Sequence, residues 1–213
     1  MTIEGNRTNS GMLIIISGPS GSGKGTVVKA LKSEEYALSV SVTTRKKRPG
    51  EKDGRDYFFC TTEEFDMMRD EGQLLEHAYF CGNCYGTPKR YVEEQISIGK
   101  TVVLEIEVNG ALQVRDKISN CVLIFLVPPT LGELKERLTG RNTEDLESIE
   151  DRLLRAREEI ELLDKYDYLV INDEVENAVA QIDSIVNAER LRPFRSKGSI
   201  YKLKEAQNAT TVL

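Results

Sequence analysis

The chain has no apolar run long enough to cross a bilayer as a helix, so membrane-spanning function is set aside. Its four cysteines, Cys60, Cys81, Cys84 and Cys121, fall at no framework spacing, and no charged, apolar, small-residue leader opens the chain; a reduced, cytoplasmic setting is expected. Cys81 and Cys84 have C-x-x-C spacing, but no second Cys or His pair accompanies them. Zinc would lack its ligands and redox work its thioredoxin-like context, so incidental loop cysteines are the expectation. His77, the only histidine, has no titrating partner visible in sequence and is given no role. Positive charge is also short: the formal net charge of -6 argues against a general nucleic-acid binder, so any anion binding must be local. There is no internal repeat and no low-complexity segment.

What is present is a chain of 213 residues, 39% hydrophobic, in which strand-like and helix-like stretches alternate. One α/β domain spanning the chain is expected. Its organising stretch is Gly18-Pro19-Ser20-Gly21-Ser22-Gly23-Lys24-Gly25-Thr26, behind the apolar Leu13-Ile14-Ile15-Ile16-Ser17 and before Val27-Val28-Lys29-Ala30-Leu31. That is strand, phosphate loop, helix. Glycines let backbone N–H groups curl around phosphate oxygens at the positive end of a helix, and Lys24 adds a mobile charge, so the chemistry is that of a nucleoside triphosphate. The pattern G-x-x-x-x-G-K-[ST] is imperfect: Gly25 stands where a hydroxyl normally reaches Mg2+, and the hydroxyl comes one place later at Thr26. Magnesium is expected to be held through phosphates and water near Thr26, with no direct protein ligand.

Along the chain, a strand is expected over Met12–Ser17, a helix to about Ser33, and an alternating strand Tyr36–Val42 whose end delivers Thr43, Thr44 and Arg45. The polar stretch 45–57 carries Arg45, Arg48 and Tyr57 among interleaved acids, the composition of a phosphate clamp, since guanidinium grips phosphate bidentately. Thr61 to Glu64 has capping-box spacing for a helix to about Glu71, and residues 73–80 read as extended. Thr87 as cap and Pro88 at the first position open a helix to about Ile98. Strands 101–107 and 121–127 flank a helix 108–117, and Thr130 with Glu133 forms a second capping box. A long amphipathic helix over 148–163, a strand 168–171, a helix 175–191 and a loosely held tail after Pro193 complete the chain.

Several stretches together resemble guanylate kinases, of the bacterial single-domain kind, along nearly the whole chain. They are the loop itself, Ser41-Val42-Thr43-Thr44-Arg45 with Arg48-Pro49-Gly50-Glu51, Gly54-Arg55-Asp56-Tyr57, Gly82-Asn83-Cys84-Tyr85-Gly86-Thr87-Pro88, and Asn109-Gly110. The resemblance implies a phosphate-loop nucleoside monophosphate kinase fold, with a mainly parallel sheet flanked by helices. Core segments would be 11–44, 91–136 and 158–192, with a GMP-binding region 45–90, a lid 137–157 and a tail 193–213. It implies transfer of the terminal phosphoryl group of ATP to GMP, in purine nucleotide metabolism and salvage, with Mg2+ bridging the donor phosphates and no nucleic-acid or membrane partner.

Carried over residue by residue, Gly18 to Thr26 with Asn172 would bind ATP. Arg45, Arg48, Tyr57 and Tyr85 would hold the GMP phosphate, and Ser41, Glu76, Thr87 and Glu107 would face guanine. Lys24, Arg45, Arg137, Arg141 and Arg152 would carry catalysis, the last three from the lid. Glu105 and Glu107 stand where many relatives carry Asp, Cys84 where Tyr is frequent, Asn109 where Gln is, and Asn142 where Gly is. Two alternatives differ in class. A regulatory GTPase would need an Asp-x-x-Gly element after a strand, which is absent, and a non-catalytic scaffold module of the same fold would lose loop and lid residues, which are kept here.

Overall fold

A computed structural model describes residues 11–80, 82–139 and 146–196; for Phe80 and residues 146–149 it describes the backbone alone. The chain order is β1 (Met12–Ser17), α1 (Lys24–Ala30), β2 (Tyr36–Leu38), β3 (Val42–Thr43), β4 (Phe58–Phe59), α2 (Thr62–Asp70), β5 (Leu74–Phe80) and β6 (Asn83–Pro88). Then come α3 (Lys89–Ser97), β7 (Thr101–Glu105), α4 (Val108–Lys117), β8 (Val122–Val127), α5 (Leu131–Thr139), α6 (Leu146–Ile160), a short 3-10 turn (Leu163–Lys165), β9 (Tyr168–Ile171) and α7 (Val175–Arg190).

Five strands form a parallel sheet in the order β2-β7-β1-β8-β9. β1 lies in the middle and is apolar at nearly every position because both of its faces are covered. Met12, Ile14 and Ile16 pack with Val27 and Val28 of α1 and Ile182 of α7, whereas Leu13 and Ile15 pack on the other side with Val92 of α3 and Val114 of α4. The register pairs Ile16 with Glu105 and Ser17 with Phe125, so the ends of β7 and β8 flank the point where β1 turns into the phosphate loop. This is the edge of a parallel sheet at which ligands bind.

Four further strands form a small mixed sheet, β4-β3-β6-β5. The expected strand 36–42 is therefore two strands in two sheets. Ala37 is buried in the large sheet and Val42 in the small one, so a single alternating pattern satisfies both, while the chain crosses over at residues 39–41. The small sheet consequently starts at Val42, inside the expected core segment 11–44. β4 and β6 were not expected as strands. β6 hides behind turn-forming residues: Gly86 is there because a Cβ would meet Leu74 Cδ1 at 2.9 Å and the Glu76 carbonyl oxygen at 3.1 Å across β5. Thr87 is correspondingly a strand residue and no cap; Pro88 occupies the cap position of α3.

The capping box at Thr61 and Glu64 is present in full. At Thr130 only half forms: its hydroxyl accepts from the Glu133 N–H at 3.1 Å, while the Glu133 carboxylate turns to Arg137. α5 and α6 pack on each other through Leu134, Leu138, Leu153 and Ala156, so the expected lid boundaries at 137 and 157 fall inside helices. No described helix is long and apolar enough to cross a membrane.

Residues 193–196 are not loose. Arg195 is 6% exposed and Glu189 3% exposed; the Arg195 guanidinium reaches the Asn120 carbonyl at 2.6 Å and the Glu189 carboxylate at 3.4 Å, and Glu189 also accepts from the Tyr168 hydroxyl at 2.9 Å. The tail expected beyond Ser196 lies outside the described residues. Glu189 has a second, more exposed partner in Arg192 at 3.1 Å, so removing Arg195 takes away the buried half of its compensation and the bond to the Asn120 carbonyl. Arg195→Met should therefore lower the unfolding free energy by about 2 kcal/mol or more, read by urea denaturation; an unchanged midpoint would show that residues 193–196 contribute nothing to the fold.

Candidate active site

Gly18 leaves β1 with φ +144°, and a Cβ there would lie 2.1 Å from the Leu126 carbonyl oxygen, so the loop is seated directly on the backbone of β8. Gly23 has φ +92° and would place a Cβ 2.3 Å from Asn172 Nδ2; neither site admits a side chain. Asn172 Nδ2 donates to the Ser22 carbonyl at 2.8 Å, Arg137 donates to the Asn172 carbonyl at 2.9 Å and to the Ser22 carbonyl at 3.5 Å, and Arg152 reaches the Ser20 hydroxyl at 3.5 Å. Lys24, buried under the loop, donates from Nζ to the carbonyls of Gly18 at 2.6 Å and Pro19 at 3.1 Å. The loop borders a cavity of about 350 Å³ lined by Ser20, Gly21, Gly23, Lys24, Gly25 and Thr26, and also by Lys29, Glu105 and Glu107.

A second cavity of about 280 Å³ is lined by Ser41, Tyr57, Glu76, Tyr85 and Glu107, with Lys24, Glu105 and Gly110 among its other walls. Glu76 is 3% exposed, and burial raises its pKa against the opposing pull of the Thr87 hydroxyl and the more distant Lys117. Thr87 donates to Glu76 Oε1 at 2.7 Å and stands behind the carboxylate, out of the cavity wall. Gly110 makes room for the same carboxylate, since a Cβ there would lie 2.8 Å from Glu76 Oε2. Arg45 packs 5.3 Å from the Tyr57 ring centroid and is pinned by Glu51 at 2.7 Å, which keeps the guanidinium charged.

The sequence-predicted residues divide accordingly. The loop, Lys24, Arg137 and Arg152 come together, as do Ser41, Tyr57, Glu76, Tyr85 and Glu107. Arg48 is exposed on the connecting loop and lines neither cavity. Asn172 is buried with its amide nitrogen committed to the Ser22 carbonyl, which makes it a tie for the loop rather than a side chain aimed at a base. Arg141 and Cys81 lie outside the described residues. Cys60, Cys84 and Cys121 are free thiols.

Several contributors escaped sequence reading. Glu51 positions Arg45; its signal was the Arg-x-x-x-x-x-Glu spacing, six residues from Arg45, which reads equally as loop solvation. Glu105 lines both cavities, a placement that follows from its pairing beside Ile16 at the end of β7. Burial raises the Glu105 pKa while Lys24 and Lys29 pull it down; the carboxylate is exposed to the cleft yet walled by protein elsewhere. Among the described residues no group of three or more His, Cys, Asp or Glu side chains is arranged to hold a metal ion by itself.

A third cavity, about 390 Å³, opens between α6 and the start of α4, and Arg152, Arg155, Glu107 and Glu159 are among its lining residues. Burial, then Glu107, raises the Glu159 pKa to about 7. A carboxyl group whose pKa is raised by folding favours the native state while it is protonated, and that contribution is lost as pH climbs from its ordinary value of 4.5 through about 7. Glu159→Gln should therefore match the parent melting temperature at pH 5 and exceed it at pH 8; equal melting temperatures at pH 8 would count against this environment for Glu159.

The chain is similar to known proteins over most of its length. A family model described as guanylate kinase matches residues 10–189. The guanylate kinase of Enterococcus faecalis is 50% identical over 198 residues, covering 92% of this chain and 97% of that protein. That of Lactococcus lactis is 53% identical over 187 residues, covering 87% and 91%. The crystal structure of guanylate kinase from Anaplasma phagocytophilum superposes with a TM-score of 0.73 at 34% identity, over 88% of this chain and 90% of that one. Because the family model spans residues 10–189, from the phosphate loop through the small sheet to α7, and relatives about half identical cover most of the chain, the chain belongs to the guanylate kinase family.

Proposed function

We propose that ATP lies on the phosphate loop and GMP over the small sheet, and that the family's reaction, transfer of the terminal phosphoryl group of ATP to GMP to give ADP and GDP, takes place where the two cavities meet. The observation that carries this assignment is the wall they share, made of Lys24, Glu105 and Glu107. Donor and acceptor phosphates brought to one wall are the arrangement that phosphoryl transfer needs, because positioning and charge stabilisation supply nearly all of its catalysis.

Lys24 leaves the Gly18 and Pro19 carbonyls for the donor phosphates; both carbonyls then return to water or to the loop's own N–H groups. Arg45 and Tyr57, with Arg48 swinging in from its exposed loop and Tyr85 opposite, grip the acceptor phosphate. The Glu76 carboxylate accepts from guanine N1–H and the exocyclic amino group, with Ser41 and Glu107 on the same wall. Adenine offers an acceptor at N1 and would leave Glu76 unmatched, a mismatch that hydrogen-bonding sites reject by roughly ten-thousandfold. GMP attacks with a phosphate oxygen that is already ionised, so no general base is required. Arg137, Arg141 and Arg152 cover the transferring group, with 137–157 acting as the lid, 45–90 as the acceptor region and the remainder as core.

Magnesium fits this site as a partner of the phosphates. The chain supplies no cage of its own among the described residues, the usual situation for an ion that keeps most of its water, and Thr26 presents an exposed hydroxyl to the loop cavity. When bound with ATP the ion neutralises charge on the donor phosphates. Free thiols and the lack of a long apolar helix among the described residues support a cytoplasmic setting.

Purified protein with MgATP should phosphorylate GMP and use AMP, CMP or UMP at least about a thousandfold less efficiently. Glu76→Gln should raise the KM for GMP far more than it lowers kcat, and Lys24→Ala should lower kcat by about a hundredfold or more while the far-ultraviolet circular dichroism of the fold is retained. Comparable turnover of AMP in a coupled assay would refute the acceptor assignment.

A further inference from the structure

The Thr87 hydroxyl bonds the Glu76 carboxylate, but the backbone that carries Glu76 is held from elsewhere. β5 pairs with β6 at Leu74 opposite Pro88 and again at His77 opposite Gly86, so three steps along β5 answer two along β6 and the strand bulges between them. The bulge sends neighbouring side chains to different places. Leu74 packs in the small cluster with Val42 and Phe65, Leu75 in the large core with Ala111 and Val114, and Glu76 reaches the acceptor cavity. β5 is also the outer strand of its sheet, so one backbone edge is paired by no strand among the described residues.

α4 covers that edge. Gly110, Gln113 and Lys117 stand three and four residues apart and so share one face of the helix. Gln113 accepts from the His77 N–H at 3.3 Å and donates to the His77 carbonyl at 3.0 Å, as a neighbouring strand would. Lys117 Nζ donates to the Leu75 carbonyl at 2.6 Å. Gly110 leaves the space between them, a Cβ there meeting Glu76 Oε2 at 2.8 Å. One helix face thus grips residues 75, 76 and 77 in turn.

We infer that Gln113 and Lys117 are positioning residues for guanine recognition: they fix the β5 bulge from both sides of Glu76, and the Lys117 ammonium favours the charged form of its carboxylate. The inference rests on the reading that Glu76 accepts from guanine. A carboxylate accepts both guanine donors only when ionised. Burial raises the Glu76 pKa, while the Thr87 bond and the Lys117 charge oppose the rise. Lys24, Tyr57, Tyr85, Glu105 and Glu107 face it across the cavity and His77 follows it in the chain; Lys117 is the cation that bears on it from α4. Without that charge the carboxylate protonates at higher pH, so GMP affinity is lost earlier as pH falls.

GMP affinity read by isothermal calorimetry from pH 5.5 to 8 tests this, with each variant also made in a Glu76→Gln background, which retains the titration of the GMP phosphate and of His77. Lys117→Met should weaken GMP binding on the order of tenfold at pH 6 and by less at pH 8, moving the acid limb to higher pH, and Lys117→Arg should restore it. Gln113→Met should weaken binding on the order of tenfold at every pH, because it misplaces the carboxylate without changing its charge. In the Glu76→Gln background both losses should shrink to within about twofold, and MgADP affinity should stay at the parental value throughout. An unshifted limb in Lys117→Met, or losses that persist in full without the Glu76 carboxylate, would overturn the inference and leave this face of α4 a joint of the fold alone. Equal GMP affinity of the parent and Glu76→Gln at every pH would instead refute the reading of the acceptor site.

Discussion

Everything in the cleft depends on a loop that has been stripped of side chains so that it can lie on backbone. Gly18 leaves no room between itself and the Leu126 carbonyl, and Gly23 none between itself and the Asn172 amide. The ties that result come from β8, from the end of β9 and from α5, through Asn172 and Arg137 to the Ser22 carbonyl. The loop is therefore braced by three elements far apart in sequence before any nucleotide arrives. A preorganised cradle of this kind avoids the cost of ordering backbone at the moment of binding.

The acceptor side is built on the same economy of space. Gly86 lets β6 approach β5, and Gly110 lets α4 approach the Glu76 carboxylate. Burial then raises the Glu76 pKa, with the Thr87 hydroxyl bond opposing the rise, so that a single hydrogen bond holds the group that would read guanine. β7 joins the two sides. Its last residue Glu105 and the following Glu107 border both cavities, and the strand is locked between β1 and β2. Under the proposed assignment, phosphoryl transfer is an event at the end of one strand.

Much of this was legible in the sequence wherever local chemistry and global fold ask for the same residue. The run Met12–Ser17 is buried throughout and Thr61 to Glu64 caps α2, while Gly18 and Gly23 take the positive φ that a tight loop demands; each constraint is local. Reading failed where one pattern satisfies two structures. Tyr36 to Val42 alternates correctly for one strand and equally well for two strands in different sheets. Thr87-Pro88 suits a helix start as well as the end of a strand that faces Glu76. Glu51 and Glu105 were invisible as site residues because their surroundings, a guanidinium held in place and a wall shared by two cavities, exist only in three dimensions. Asn172 was expected to bind ATP on the strength of the resemblance alone; its amide nitrogen donates to the Ser22 carbonyl, a tie that no local pattern in the sequence announces.

The phosphate loop is already in its working shape, and within it only the Lys24 side chain moves on binding. A crystal structure with MgADP and GMP bound tests it most directly. The account predicts that the Asn172 to Ser22 bond, 2.8 Å here, and the seating of Gly18 on Leu126 persist, while Lys24 Nζ leaves the Gly18 and Pro19 carbonyls for phosphate oxygens. A bound structure in which the loop backbone refolds and Asn172 releases Ser22 would contradict it.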